Sequence, residues 1–133
     1  MKVTDFDGRE YNFPPSGYVP DRDDTRPRSE LHLKVRALLH SLFPTRRVLE
    51  EVPLPGTRLT ADFYLPHRKT VVEAHGRQHF EYIEHFHGSR MGWVKAKRND
   101  SLKLDWCQLN NIEHVELHYD GDEDGWRQAL DED

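Results

Sequence analysis

Two acids stand where strand-like sequence is expected to be apolar. Asp62 falls in the middle of Ala-Asp-Phe-Tyr-Leu, and Glu73 near the end of Val-Val-Glu-Ala-His-Gly. A carboxylate set among apolar strand residues costs desolvation energy unless something compensates it. On neighbouring hairpin strands the two could share one face, where they would repel. A divalent cation relieves that repulsion, and hard Mg²⁺ prefers carboxylate, water and phosphate oxygens. Such a site can polarise a phosphodiester, generate hydroxide and stabilise the leaving oxygen. The alternative is a pair of edge-strand acids facing solvent. The segment after Glu73 adds Ala74-His75-Gly76-Arg77-Gln78-His79. His75 is two residues past Glu73 and so points to the same strand face. It could orient water, act as a general base near neutral pH, or ligate a metal. Gln78 can hold a water or a phosphate oxygen, and Gly76 permits a sharp turn.

The elements that must position these groups follow from periodicity. Ser29–Phe43 reads as a helix, with Ser29 as N-cap, Glu30 at the positive helix end and Leu31, Val35, Leu38, Leu39 and Leu42 as its apolar stripe. Pro44 ends it. Arg47–Leu54, Arg58–Leu65 and Lys69–Ala74 read as strands, the last two joined by a tight hairpin at His67–Arg68. In Arg58–Leu65, Leu59, Ala61, Phe63 and Leu65 oppose Thr60, Asp62 and Tyr64. Trp93–Leu109 reads as a second helix with Val94, Leu102, Trp106 and Leu109 on one side, stopped at Asn110–Asn111. Ile112–Tyr119 alternates as a fourth strand, and a helical turn is expected around Trp126–Leu130. The order α-β-β-β-α-β predicts an α/β or α+β domain, a mixed central sheet flanked by helices. Residues 1–28, with four prolines, read as an extended arm with a short strand at Met1–Phe6. Residues 29–119 form the core domain and 120–133 an acidic tail.

The chain has 133 residues, enough for one domain with a core, and is 35% hydrophobic and 32% charged. Its net charge is −5, but the last 21 residues hold nine acids and one base, leaving 18 bases against 15 acids elsewhere. This polarisation leaves a basic face free to meet nucleic acid. The second helix carries Lys95, Lys97, Arg98 and Lys103, suited to phosphate contacts that give affinity without reading sequence; the bland alternative is a solvated helix face. One cysteine, Cys107, excludes an internal disulfide framework and a Cys-rich zinc fold. No run approaches the roughly 20 apolar residues of a membrane span. The opening MKVTDFDGRE has no apolar signal region, so a reducing cytoplasmic setting, with no membrane partner, is the expectation.

An acid on the first helix, a strand Asp, a strand Glu and then a basic helix, in that order, resemble the PD-(D/E)XK restriction-endonuclease-like nucleases. The strings SELHLKVRALL, ADFYL and VVEAHGRQHF resemble more narrowly the branch related to very-short-patch-repair endonucleases, which includes small phage and homing enzymes. The likeness covers roughly Ser29–Tyr119. It implies an αβββαβ core and a metal-dependent DNA endonuclease or nickase, phage-encoded or associated with a mobile element. Asp62 and Glu73 match the metal-binding acids, and Glu30 the first-helix acid that supports metal or water. Mg²⁺ is the implied cofactor, with Mn²⁺ as substitute. Where the general motif has lysine and the branch commonly has aspartate in E-x-D-G-x-x-H, this chain has His75; Gln78 and His79 fit the branch. The water-activating role then falls to His75, Lys97 or Arg98. Arg77, His79, Lys95, Lys97, Arg98 and Lys103 are the expected nucleic-acid contacts. A homodimer is expected if both strands are cut.

Three other readings compete. A non-catalytic nucleic-acid-binding or partner-binding domain fits the same elements. His75, His79, His85 and His87 could close a zinc site. Trp93 and Trp106 could stack single-stranded bases. A serine-hydrolase elbow and a phosphate-binding loop have no supporting spacing.

Overall fold

The computed structural model describes residues 1–15, 29–76, 88 and 90–130. It contains β1 (Lys2–Thr4), β2 (Glu10–Asn12), α1 (Glu30–Leu42), β3 (Leu49–Pro53), β4 (Thr60–Leu65), β5 (Thr70–His75), α2 (Arg90–Leu109), β6 (Glu113–His118) and α3 (Glu123–Ala129). β1 and β2 form a small antiparallel hairpin. The main sheet runs β3-β4-β5-β6, with the first two pairings antiparallel and β5–β6 parallel. A parallel pair needs a long crossover, and α2 supplies it. The chain is therefore a mixed α+β domain. Among the described residues, no helix is long and apolar enough to cross a membrane.

Both sheet faces are buried, which makes three layers. On one face α1 and α3 cover Phe63, Leu65, Val72 and Leu117 with Val35, Leu38, Leu39, Trp126 and Leu130. On the other, α2 and the hairpin cover Leu49, Tyr64 and Val71 with Trp106, Cys107, Val3 and Phe13. Burying each large apolar side chain contributes about 1.5–3 kcal/mol. Double-sided burial explains why β4 and β5 read as nearly continuous apolar runs, and it isolates Asp62 and Glu73 as the polar interruptions.

Local chemistry sets the ends. The Ser29 hydroxyl accepts from His32 N–H at 3.0 Å and caps α1. α2 stops where Asn111 enters the left-handed region at φ +55° and Ile112 N–H reaches back to the Cys107 carbonyl at 2.9 Å. Asn110 then ties this end to β1, accepting from Thr4 N–H at 2.7 Å and donating to the Thr4 carbonyl at 3.0 Å.

Several expectations need correction. Of the extended arm expected over 1–28, the strand at Met1–Phe6 forms as β1, residues 16–28 lie outside the described residues, and residues 1–13 pack onto the domain: Val3 and Phe13 are in the core, Phe13 packing edge-on against Tyr64 and Trp106 at 4.6 and 5.2 Å. The hairpin turn forms because the Asp5 carboxylate accepts from the Asp7 and Arg9 N–H groups, both at 2.9 Å, while Gly8 takes φ +84°. The β4–β5 connection is longer than two residues, running through Pro66-His67-Arg68-Lys69 with Lys69 at φ +49°. On α2 the buried residues are Trp106 and Cys107, whereas Val94 and Leu109 are about half exposed. Trp106 is wholly buried and so is closed to base stacking. The last helix starts earlier than Trp126, capped by Asp122, whose carboxylate accepts from Gly125 N–H at 2.7 Å.

Candidate active site

The β4–β5 ladder pairs Leu65 with Thr70, Tyr64 with Val71 and Phe63 with Val72, and there it stops. The next pair in register is Asp62 and Glu73. At that point each carboxylate takes a backbone donor from the opposite strand. Asp62 N–H donates to Glu73 Oε2 at 3.2 Å, and Ala74 N–H donates to Asp62 Oδ2 at 2.8 Å. The strands part, and both acids lie where they separate. β3 is distorted at the same level: Glu51, in register with Asp62, holds φ +51°. For a non-glycine residue that conformation costs roughly 1–2 kcal/mol, and such strain clusters at functional sites.

Glu73 is 1% exposed. Its Oε1 meets the Lys103 ammonium at 3.2 Å and His114 Nε2 at 3.9 Å, yet neither Oε1 nor His114 Nε2 has a hydrogen-bond partner among the described residues. Burial opposes ionisation of Glu73, but His114 and the Lys103 charge outweigh it and hold the carboxyl down to about 2. Asp62 moves the other way. Burial and then repulsion from Glu73 push it up to about 7. Two acids driven apart in this way are short of positive charge among the described residues. Cys107, beside the pair, is inert: burial and then the Glu73 charge push its thiol up to about 12.

Lys103, an expected nucleic-acid contact, turns inward, its side chain only 17% exposed, and its ammonium meets Glu73. The signal was present in the spacing, because Lys103 precedes the buried Trp106 and Cys107 by three and four residues and therefore shares their helix face. His114 was also missed. Its alternation with Glu116 and His118 places it on their face, but only the β5–β6 register carries it to Glu73.

The other predicted residues separate into groups. His75 is buried beside His118, with its Nδ1 3.7 Å from Glu116 Oε2. Glu30 opens α1, on the helix that packs against the opposite sheet face, and makes no hydrogen bond or ion pair to Asp62 or Glu73. Lys95, Lys97 and Arg98 are exposed on α2. Arg77, Gln78 and His79, with His85 and His87, lie outside the described residues.

No family model matches the chain, and no solved structure matches it. Three curated viral proteins do. Uncharacterized protein 307L of Invertebrate iridescent virus 6 is 36% identical over 61 residues, 46% of this chain and 31% of its own length. Uncharacterized protein 094L of Frog virus 3 is 38% identical over 68 residues, 50% of this chain and 44% of its own length. Uncharacterized protein 033L of Invertebrate iridescent virus 3 is 28% identical over 67 residues, 50% of this chain and 34% of its own length. The chain thus spans 31–44% of the length of these relatives.

Proposed function

We propose that this protein is a metal-dependent DNA endonuclease or nickase of restriction-endonuclease-like fold, acting in the cytoplasm. The observation that carries the reading is the meeting of Asp62 and Glu73 where β4 and β5 part, with Lys103 beside them. The sheet supports it: an antiparallel meander β3-β4-β5 followed by a parallel β6, with helices on both faces, is the arrangement that the αβββαβ resemblance implies.

The donor set fits magnesium. It is all oxygen, it comes from two side chains on neighbouring strands, and one of its buried oxygens lacks a hydrogen bond among the described residues. Asp62 and Glu73 would hold the ion, which when bound polarises a phosphodiester and makes water nucleophilic near neutral pH. The chain's own residues do the rest. Lys103, fixed by Glu73, places an ammonium next to the pair, where it can hold a phosphate oxygen or a water. It takes the place of the motif lysine that His75 replaces. Lys95 and Arg98, exposed and without an ion pair among the described residues, offer cations for backbone phosphates.

A second reading keeps the fold and DNA binding without cleavage. It is favoured by the same Lys103–Glu73 contact, because a lysine on the acid partly stands in for a cation. Supercoiled and linear duplex DNA incubated with the protein and Mg²⁺, Mn²⁺ or a chelator separates the two. Nicking or linearisation that needs the metal and disappears in Asp62→Ala and Glu73→Ala supports the enzyme. Metal-independent binding with no nicking supports the binding domain.

A further inference from the structure

The parallel pairing of β5 with β6 sets a second constellation beyond the acid pair. In register, His75 faces His118 and Glu73 faces Glu116. Side chains two residues apart share a strand face, so His75, Glu116 and His118 crowd one spot at the end of the two strands. The imidazole rings lie 6.0 Å apart and nearly parallel, at 9°. One oxygen, Glu116 Oε2, lies 3.4 Å from His118 Nε2 and 3.7 Å from His75 Nδ1. One ligand atom from each residue falls within 4.8 Å of the others.

Those separations discriminate. The 3.7 Å contact of His75 is too long for a hydrogen bond, and the 3.4 Å contact of His118 is a long one that an ion would replace. Two ligands of one tetrahedral ion at Zn–N and Zn–O distances of about 2.0–2.1 Å lie roughly 3.3–3.5 Å from each other. The two carboxylate–imidazole edges, 3.4 and 3.7 Å, are close to that value, and the third edge is within 4.8 Å. Burial is graded in a way that suits capture. The His75 side chain is 6% exposed and anchored, whereas Glu116 and His118 are 36% and 43% exposed and give an ion access. Behind the carboxylate, His114 Nδ1 lies 4.0 Å from the other Glu116 oxygen.

We infer that His75, Glu116 and His118 form a second metal site, selective for Zn²⁺ and similar borderline divalent ions, with a fourth position open to water. Imidazole favours Zn²⁺ over Mg²⁺, while a carboxylate pair favours the reverse. The chain thus holds two neighbouring sites of opposite preference. The inference does not rest on the nuclease reading, since it concerns other side chains and is tested by binding alone.

The test is calorimetric titration of Zn²⁺ into chelator-treated full-length protein, with Co²⁺ as a coloured probe of tetrahedral imidazole coordination and thermal melts alongside. One equivalent is expected to bind and to raise the melting temperature. His118→Ala and Glu116→Gln, both at accessible positions, should weaken binding by at least about tenfold. Asp62→Ala should leave Zn²⁺ affinity within about twofold, and an excess of Mg²⁺ of about a hundredfold should not displace the ion. Unchanged affinity in both His118→Ala and Glu116→Gln overturns the inference, because the ion is then held elsewhere. So does displacement by Mg²⁺, and so does the absence of binding to the wild-type protein.

Discussion

The two faces of the sheet each carry a carboxylate against a helix, and they treat it differently. On the α1 side, Glu50 is saturated. Arg36 donates to it from Nε at 3.0 and 3.2 Å and from a terminal nitrogen at 3.0 Å, and His32 Nε2 lies 2.7 Å away. On the α2 side, Glu73 meets one lysine at 3.2 Å and one histidine at 3.9 Å, while Asp62 accepts the Ala74 N–H at 2.8 Å. The first cluster has charges and donors in balance, which is what an ion pair that fastens a helix to a sheet requires. The second, among the described residues, is short of positive charge. Among the described residues it keeps a buried oxygen, Glu73 Oε1, that has the Lys103 charge at 3.2 Å but no hydrogen bond. Deficit against saturation is the basis for placing chemistry on one face and fastening on the other.

The largest effects should come from removing the deficient pair. Asp62→Ala and Glu73→Ala are each expected to lower Mg²⁺-dependent DNA cleavage by about a thousandfold, because a lost metal ligand removes several kcal/mol of charge stabilisation. DNA binding in chelator, measured by gel shift, should survive. Cleavage at wild-type rates in either variant ends the nuclease reading. Lys103→Ala comes next. If its ammonium holds a phosphate oxygen or water, cleavage should fall about a hundredfold, with magnesium affinity little changed. If the lysine instead stands in for the ion, the variant should bind Mg²⁺ more tightly, and the binding-domain reading gains.

Breaking the saturated cluster should cost stability and not activity. Burial works against ionised Glu50, but the His32 and Arg36 hydrogen bonds outweigh it and lower its pKa below the ordinary 4.5. A depressed acid stabilises the fold above its unfolded pKa, and that contribution fades as pH falls through the folded value. Glu50→Gln should therefore lose about 1–2 kcal/mol at neutral pH, and the gap in denaturant midpoint should close as pH drops below 4.5. A gap that is independent of pH would mean that the Arg36 geometry does not reflect the solution state.

How much of this could be read in advance depends on the range of the interaction. α1 was legible because its cap and its stripe of Val35, Leu38 and Leu39 lie within a few turns. β4, β5 and β6 were legible because their apolar residues recur at strand spacing. Asp62 and Glu73 stood out for the same reason, as polar residues inside runs that both faces bury. Of the β1–β2 hairpin only the strand at Met1–Phe6 was legible; β2 and the pairing were hidden because the strands have three residues each and Phe13 must reach Tyr64 and Trp106, contacts that span up to most of the chain. α2 misled because its polar and apolar residues are poorly segregated, so Leu109 and Val94 looked like core while Lys103 looked like surface. The His75–Glu116–His118 cluster needed the β5–β6 register, which no local pattern encodes.

The smallest predicted effect has the least intuitive sign. Burial and the Glu73 charge raise Asp62 from 3.8 to about 7. In the unfolded chain this acid loses its proton near pH 4. In the metal-free fold it keeps the proton until about pH 7. Stability therefore falls as pH rises between those values, and above them the fold carries the full penalty of an ionised, crowded acid. Asp62→Asn removes that penalty while keeping an acceptor for Ala74 N–H. In chelator the variant should melt higher than wild type at pH 8, by on the order of 1 kcal/mol, and the difference should vanish toward pH 4. Added Mg²⁺ should reverse the order, since an ion that binds only the folded wild type stabilises it in proportion to the logarithm of its concentration. A variant less stable than wild type at pH 8 in chelator would mean that Lys103 and His114 already balance the pair, and the contrast with Glu50 would disappear.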